Sequence, residues 1–323
     1  MRTIPRIKFA HLPTPVEPLP RLSTELAGPN LFVKRDDLTG LAFGGNKIRK
    51  LEYLLAEAQS HGARTIITAG AVQSNHCRQT AAACAHLNFD CILILSGEKP
   101  SSVTGNLLLD QLFNARIIFT SQQERDQTLQ KTFQEAWESG KRPYLIPYGG
   151  SNTTGATAYT FAMKELLDQN YQPDWIIFAS SSAGTQAGLV VGARLFGFKG
   201  NILGISVDET EADLKAHVAS LASETADFLG EKINFLPQDI MVSADYLGGG
   251  YGVMGAPEIE AMRLFARQEG LLLDPVYTGR AAAGLIDLIR KGFFKREENV
   301  LFWHTGGTPA LFSEKYANLA EPI

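Results

Sequence analysis

Lys47 is the side chain in this 323-residue sequence best placed for covalent chemistry. It lies in Phe43-Gly44-Gly45-Asn46-Lys47-Ile48-Arg49-Lys50-Leu51-Glu52, where a loop gives way to a helix. Ile48, Leu51, Leu54, Leu55 and Ala58 recur at steps of three and four, which predicts the helix. Gly44 and Gly45 allow a tight turn with positive φ before it, and Asn46 is the expected cap for its free amides. Lys47 then sits where the positive end of the helix dipole opposes an ammonium. For stability alone, such a lysine is tolerable only when solvated. For chemistry, it is an amine of lowered pKa, suited to forming a Schiff base with a carbonyl cofactor. The rest of the chain decides between the two.

Three further stretches combine hydroxyls, amides and glycines at the start of a predicted helix or just past a predicted strand. Gly70-Ala71-Val72-Gln73-Ser74-Asn75-His76 puts a hydroxyl, two amides and an imidazole at a helix N-terminus, which suits a carboxylate or phosphate. Ser180-Ser181-Ser182-Ala183-Gly184-Thr185-Gln186-Ala187-Gly188 exposes successive backbone amides to an anion. No lysine follows in the Walker position, so a phosphate monoester fits it better than a nucleoside triphosphate. Thr305-Gly306-Gly307-Thr308-Pro309 repeats the pattern after the last predicted strand. A fourth loop, Asp274-Pro275-Val276-Tyr277-Thr278-Gly279, carries an aromatic hydroxyl to a helix start. One near match misleads: Gly250-Tyr251-Gly252-Val253-Met254-Gly255 has the dinucleotide spacing, but residues 243–249 do not read as the strand that motif requires. Tyr251 reads better as a residue on a flexible loop that closes over a site.

These loops need a scaffold, and the hydrophobic pattern supplies one. Residues 1–30 are proline-rich and read as an extended arm. Strands are expected at 31–35, 65–69, 91–95 and 117–119, interleaved with helices at 48–58, 75–87, 105–113 and 122–138. After a Gly/Ser/Thr break at 148–155, a candidate hinge, come helices at 156–168, 184–196, 209–228, 257–269 and 279–291. The strands of that half fall at 174–179, 201–206 and 300–304. The alternation predicts parallel sheets with helices on their faces, and in such sheets ligands sit beyond the carboxyl ends of the strands. Two series imply two α/β domains with a cleft between them.

A net charge of −4 and a pI near 5.9 argue against nucleic acid or an anionic membrane as the main partner. No apolar run approaches the roughly 20 residues that span a bilayer, and Met1-Arg2-Thr3-Ile4-Pro5-Arg6 lacks the apolar core of a signal peptide. A cytoplasmic protein is expected. Cys77, Cys84 and Cys91 have no Cys-x-x-Cys pairing and no histidine at zinc spacing, so buried thiols are expected, with no disulfide and no metal.

Taken together, Lys34-Arg35-Asp36-Asp37, Gly44-Gly45-Asn46-Lys47-Ile48-Arg49-Lys50-Leu51-Glu52 and Gln73-Ser74-Asn75-His76-Cys77-Arg78-Gln79-Thr80-Ala81 resemble the fold-type-II pyridoxal phosphate enzymes. Within these the likeness is to the D-cysteine desulfhydrase and aminocyclopropane-carboxylate deaminase family. The serine-rich loop, Asp274-Pro275-Val276-Tyr277-Thr278-Gly279 and His304-Thr305-Gly306-Gly307 extend it over nearly the whole chain. The resemblance implies two open, mostly parallel α/β domains of the tryptophan-synthase-β type. Residues 50–155 would form the smaller domain, and 1–49 with 156–323 the larger one, which binds the cofactor. It implies pyridoxal 5'-phosphate on Lys47, with Asn75 bonded to the ring hydroxyl. Ser181, Ser182, Ala183, Gly184 and Thr185 would cup the phosphate, and Thr278 and Thr305 would also border the cofactor. Ser74, with Gln73, Asn75 and His76, would meet the substrate carboxylate, and Tyr251 and Tyr277 would cover the reacting atoms. A homodimer acting on a small amino acid is implied as well.

One position favours a branch. Ring-opening deaminases of this family carry glutamate after the tyrosine of the Val-Tyr loop, and this chain has Thr278. A carboxylate there would keep the pyridine nitrogen protonated and deepen the electron sink. A neutral hydroxyl from Thr278 or Thr305 suits elimination, where a thiolate leaves Cβ and drains the charge. The expectation is therefore α,β-elimination of D-cysteine, or of a close β-substituted alanine such as cysteate, with Lys47 as the base at Cα. The cyclopropane deaminase is the next reading, and a non-catalytic pyridoxal phosphate or ligand carrier is the reading from another class.

Overall fold

The computed structural model describes residues 1–316 of the chain. Among these residues two sheets form. The larger has six strands in the order β1 (Val16–Pro18), β2 (Asn30–Arg35), β10 (Asn299–His304), β7 (Trp175–Ser180), β8 (Asn201–Ser206) and β9 (Met241–Ser243). All pair in parallel except β1, which is antiparallel to β2. The smaller sheet is parallel throughout, in the order β5 (Arg116–Thr120), β4 (Asp90–Ser96), β3 (Thr65–Ala71) and β6 (Pro143–Leu145).

Helices cover both faces of the sheets, which is why the central strands are unbroken apolar runs rather than alternating ones. Ile176, Ile177 and Phe178 of β7 and Leu93, Ile94 and Leu95 of β4 are all buried. On the large sheet, α9 (Ala256–Glu269) and α10 (Thr278–Arg290) bury Phe265 and Leu285 on one side. On the other side α6 (Thr153–Asp168) and α7 (Gly184–Phe196) bury Met163 and Leu189, with α8 (Glu211–Phe228) packed beyond α7. Against the small sheet, α2 (Asn46–Ser60) sets Leu51, Leu54, Leu55 and Ala58 beside Cys77, Ala81 and Cys84 of α3 (Asn75–Leu87). The three cysteines are free and buried. α4 (Gly105–Leu112) and α5 (Arg125–Glu138) flank β5 in sequence.

Four expectations from the sequence are corrected. Residues 1–30 are not wholly extended: α1 (Pro20–Leu26) forms, with Pro20 in its first turn, where a missing N–H costs nothing. The alternation of elements sets strand 31–35 in the first series, but β2 joins the sheet of the second, with β10 as its parallel partner, as the family likeness groups residues 1–49. The strands β1, β6 and β9 were not foreseen, since three residues are too few to show a period. The break at 148–155 is shorter than it reads, because Asn152 accepts the Gly155 amide at 2.9 Å and α6 begins at Thr153. Among the described residues, no helix is long and apolar enough to cross a membrane, and no cluster of His, Cys, Asp or Glu could hold a metal ion.

Candidate active site

The loop before Lys47 is wound by four successive residues of positive φ, Ala42, Phe43, Gly44 and Gly45. A side chain at Gly45 would strike the Gln79 amide at 2.7 Å, so the glycine is required for close approach as well as for its φ of 121°. Asn46 does not cap α2; Gly45 holds the cap position, and Gln79 Oε1 accepts the Ile48 amide at 3.0 Å. Asn46 instead donates its backbone N–H to the Thr305 carbonyl at 2.9 Å and its Nδ2 to Thr185 Oγ1 at 3.2 Å. The lysine helix is thereby stitched to the loops after β10 and β7.

Behind it, Arg49 anchors α2 to the large sheet. Its Nε and Nη2 donate to the two oxygens of Asp36 at 2.9 and 2.7 Å, and Nη1 and Nη2 donate to Glu165 at 2.8 Å each. Thr14, Tyr159 and Trp303 also donate to Asp36, which is fully buried. Burial by itself would raise the Asp36 pKa, but Arg49 and Lys34 hold the carboxyl below its usual range.

The Lys47 amine opens onto a small cavity between the starts of α3 and α7 and donates to the Gly149 carbonyl at 3.2 Å. Burial pushes its pKa down to about 8, while hydrogen bonding with Lys50 and the charge of Asp208 act the other way. Lys50, one turn on and fully buried, donates to the same carbonyl and to Ser151 Oγ. Burial and then the Lys47 charge lower the Lys50 pKa well below that of a free lysine.

Ser74, Asn75 and His76 line this cavity from the start of α3, and Ser181, Ser182, Ala183 and Thr185 line it from the start of α7. Tyr277 and Thr305 complete the expected set present there. Ser74 caps α3 by accepting the Cys77 amide at 3.2 Å, which leaves its hydroxyl hydrogen available. Asn75 receives Asn106 Nδ2 on its oxygen at 2.9 Å. Ala183 holds a φ of 60°, a strained value for a residue with a Cβ, at the turn that points the first amides of α7 into the cavity. A Cβ on Gly184 would meet Ser151 Oγ at 2.6 Å and Lys50 Nζ at 2.9 Å, so Gly184 is needed for close approach although it does not line the cavity.

Several expected residues turn elsewhere. Gln73 spends its amide on the Thr104 carbonyl and the Asn106 N–H, outside the cavity. Ser181 donates to Asp208 at 3.0 Å, so its hydroxyl is already committed. Thr278 is buried away from the cavity, bonded in both directions to Asp274: its hydroxyl donates to Oδ1 at 2.8 Å and accepts the Asp274 amide at 2.7 Å. His76 stands near Lys47 but is turned on Thr68. The Thr68 hydroxyl donates to the Ile146 carbonyl, so at 2.9 Å His76 Nε2 must be its donor, leaving Nδ1 a bare, buried lone pair. Burial, with Lys47 and Lys50 nearby, keeps the ring neutral. A neutral acceptor is a poor partner for a carboxylate.

Tyr251 lies behind Tyr277 rather than in the cavity wall, their hydroxyls 2.6 Å apart. Its loop is clamped, not loose: Arg280 donates to the Gly250 and Val253 carbonyls, and the Tyr316 hydroxyl donates to the Gly252 carbonyl. Tyr148, Lys50, Asn106 and Asp274 were not singled out from the sequence. Tyr148 lines the cavity from the turn after β6 and interacts with Tyr251. Asp274 accepts the amides of Val276, Tyr277 and Thr278 and so holds the tyrosine loop. Its position four residues before Thr278, at a helix start, was the signal available.

With this geometry in place, the comparisons with known proteins are specific. The family model described as "pyridoxal-phosphate dependent enzyme" matches residues 7–306. The crystal structure of an ACC deaminase homologue is similar at 37% identity and a TM-score of 0.89, covering 98% of this chain and 96% of that one. A fungal L-serine ammonia-lyase from Rhizomucor miehei is similar at 17% identity and a TM-score of 0.69, over 95% of this chain and 96% of that one. A hydrogen sulfide-producing enzyme from Fusobacterium nucleatum is similar at 16% and 0.63, over 94% and 96%. The last two likenesses speak to the fold alone.

Proposed function

The chain belongs to the pyridoxal-phosphate dependent enzyme family, and on that footing we propose that it catalyses α,β-elimination of D-cysteine or a close β-substituted alanine. Hydrogen sulfide leaves, and the released enamine takes up water to give pyruvate and ammonia. As part of this reading, residues 50–155 form the smaller domain, the remainder forms the larger, and the protein acts as a homodimer in the cytoplasm.

The residues present fit the cofactor. Lys47 supplies the amine, Asn75 an amide donor for the ring oxygen, and the start of α7 with Ser182, Thr185 and Lys50 a cradle for a phosphate. Ala183 in its left-handed conformation and the close approach at Gly184 are what such a cradle demands. Thr305 replaces Thr278 as the neutral hydroxyl available to the ring, since Asp274 occupies the latter. When bound, pyridoxal phosphate supplies an electron sink for the charge that develops at Cα.

The observation that carries the proposal is that Lys47 and Tyr277 line one cavity, an amine of lowered pKa facing a site that also holds a neutral phenol. Lys47, neutral above about pH 8, accepts the Cα proton. Ser74 donates its free hydroxyl hydrogen to the substrate carboxylate beside the amides of α3. Tyr277, its pKa far above the usual value through burial, keeps a proton that it delivers to the departing sulfur, with Tyr251 hydrogen-bonded behind it.

The likeness to the ACC deaminase homologue favours a second reading, ring-opening deamination; a threonine at 278, bonded to Asp274, counts against it. Incubation with D-cysteine, L-cysteine and aminocyclopropane-carboxylate separates these. Sulfide and pyruvate in equal amounts, faster from the D-isomer, are expected. A 2-oxobutyrate product with no sulfide would establish the second reading, and no turnover of any of the three, nor of cysteate or β-chloro-D-alanine, would favour a carrier.

A further inference from the structure

Arg78 does not line the cavity, yet it is fully buried on α3 one turn beyond Ser74 and Asn75. A buried guanidinium needs acceptors for its N–H groups; in Arg78 the Nη1 and Nε groups find them, while Nη2 is left without a partner. Its Nη1 donates to the Gly44 carbonyl at 3.1 Å and to that of Ala42, and its Nε donates to Asn106 Oδ1 at 3.0 Å. Asn106, fully buried on α4, donates its Nδ2 to the Gln73 carbonyl and to Asn75 Oδ1, each at 2.9 Å.

An asparagine amide has nearly the same shape either way round, so its partners decide which end faces where. A guanidinium can only donate. The Asn106 atom facing Arg78 must therefore be oxygen, which turns the Asn106 NH2 to Asn75. The Asn75 atom facing Asn106 must in turn be oxygen, which sends the Asn75 NH2 to the opposite side. There a Cβ on Gly307 would come within 2.7 Å of that nitrogen.

We infer that Arg78 and Asn106 are positioning residues that fix the polarity of Asn75, so that it offers the cofactor ring oxygen a donor and never an acceptor. The inference rests on the proposed contact between Asn75 and that oxygen. The same guanidinium grips the carbonyls of Ala42 and Gly44, so one buried cation orients both the ring's partner and the loop that delivers Lys47.

Asn106→Asp tests this in the holoenzyme. The carboxylate still accepts from Arg78 but offers Asn75 only acceptors, so Asn75 must turn its NH2 inward and its oxygen toward the ring. Pyridoxal phosphate should bind about tenfold more weakly or worse, and the absorption maximum of the bound cofactor should shift. The far-ultraviolet circular dichroism of the variant should stay that of the folded protein. Asn75→Ala is the companion. If it leaves affinity and spectrum unchanged, the underlying contact is wrong. If it changes them while Asn106→Asp does not, the contact stands and the relay is refuted. Should the variants not fold, neutron diffraction from wild-type crystals reads the same point. Deuterium on the Asn75 atom facing Gly307 is expected, and deuterium on the atom facing Asn106 would overturn the inference.

Discussion

Tyr251 and Tyr277 meet hydroxyl to hydroxyl at 2.6 Å, with their rings edge to face at 74°. One rides on a glycine-rich loop clamped by Arg280, and the other on a turn held by Asp274. Burial raises both phenols well above the usual tyrosine range, so each keeps its proton across the working pH.

The proposed proton delivery by Tyr277 has a kinetic consequence. Tyr277→Phe should lower kcat for D-cysteine by roughly 10²- to 10⁴-fold with KM little changed, read from sulfide release. β-Chloro-D-alanine, whose leaving group needs no proton, should be spared. Equal losses on both substrates would refute proton donation by this residue.

Cofactor capture should depend on pH through Lys47. Its folded pKa of about 8 lies below the ordinary 10.5, so the nucleophilic neutral amine is about half of the total near pH 8 and nearly complete about one unit above it. The rate at which stripped protein takes up pyridoxal phosphate should therefore climb about tenfold per pH unit below 8 and then level. Stopped-flow absorbance measures it, and a flat profile from pH 6 to about 9 would contradict a lysine titrating near 8.

Asp36 collects donors from Arg49, Thr14, Tyr159 and Trp303, all buried. Asp36→Asn leaves Arg49 with an unmatched charge at that end and should cost about 3–5 kcal/mol of stability, measured by urea unfolding. Because Arg49 lies two residues from Lys47, the surviving folded protein should also hold its cofactor less tightly.

Asp110 is fully buried with both oxygens unpaired, and burial pushes its pKa up to about 8 against the pull of Arg78. Between the unfolded value of 3.8 and the folded one, the folded state binds the extra proton, so stability should fall as pH rises through that window. The contribution is at most ~1.4 kcal/mol per pH unit. Asp110→Asn should flatten the dependence of urea midpoints between about pH 5 and about pH 7.5. An unaltered slope would show that this carboxyl is not the source.

Much of the site was legible in the residues. Helix starts at Asn46, Asn75 and Gly184 fall where glycines and small polar residues meet apolar periodicity. In a parallel sheet such starts gather at the carboxyl ends of the strands, but α3 follows the small sheet and α7 the large one, so packing between the sheets is what brings them to one cavity. The directions of individual side chains were not legible. Gln73 and His76 belong to the right loop, yet Asn106 and Thr68 claim them. Thr278 follows the right tyrosine, yet Asp274 holds its hydroxyl. Tyr148 sits in a turn that reads as a hinge, and only its meeting with the cavity marks it.

The sequence by itself determined the lysine at a helix start, the anion-ready turns, the parallel α/β alternation and the likeness to one enzyme family. These are local properties, set by residues a few positions apart. Tertiary structure decided that Asn46 reaches Thr185 across 139 positions and that Asn75 turns its oxygen to Asn106. A hydrogen bond's direction depends on which donor lies opposite, and that donor is placed by packing between segments distant in sequence. No local pattern encodes it.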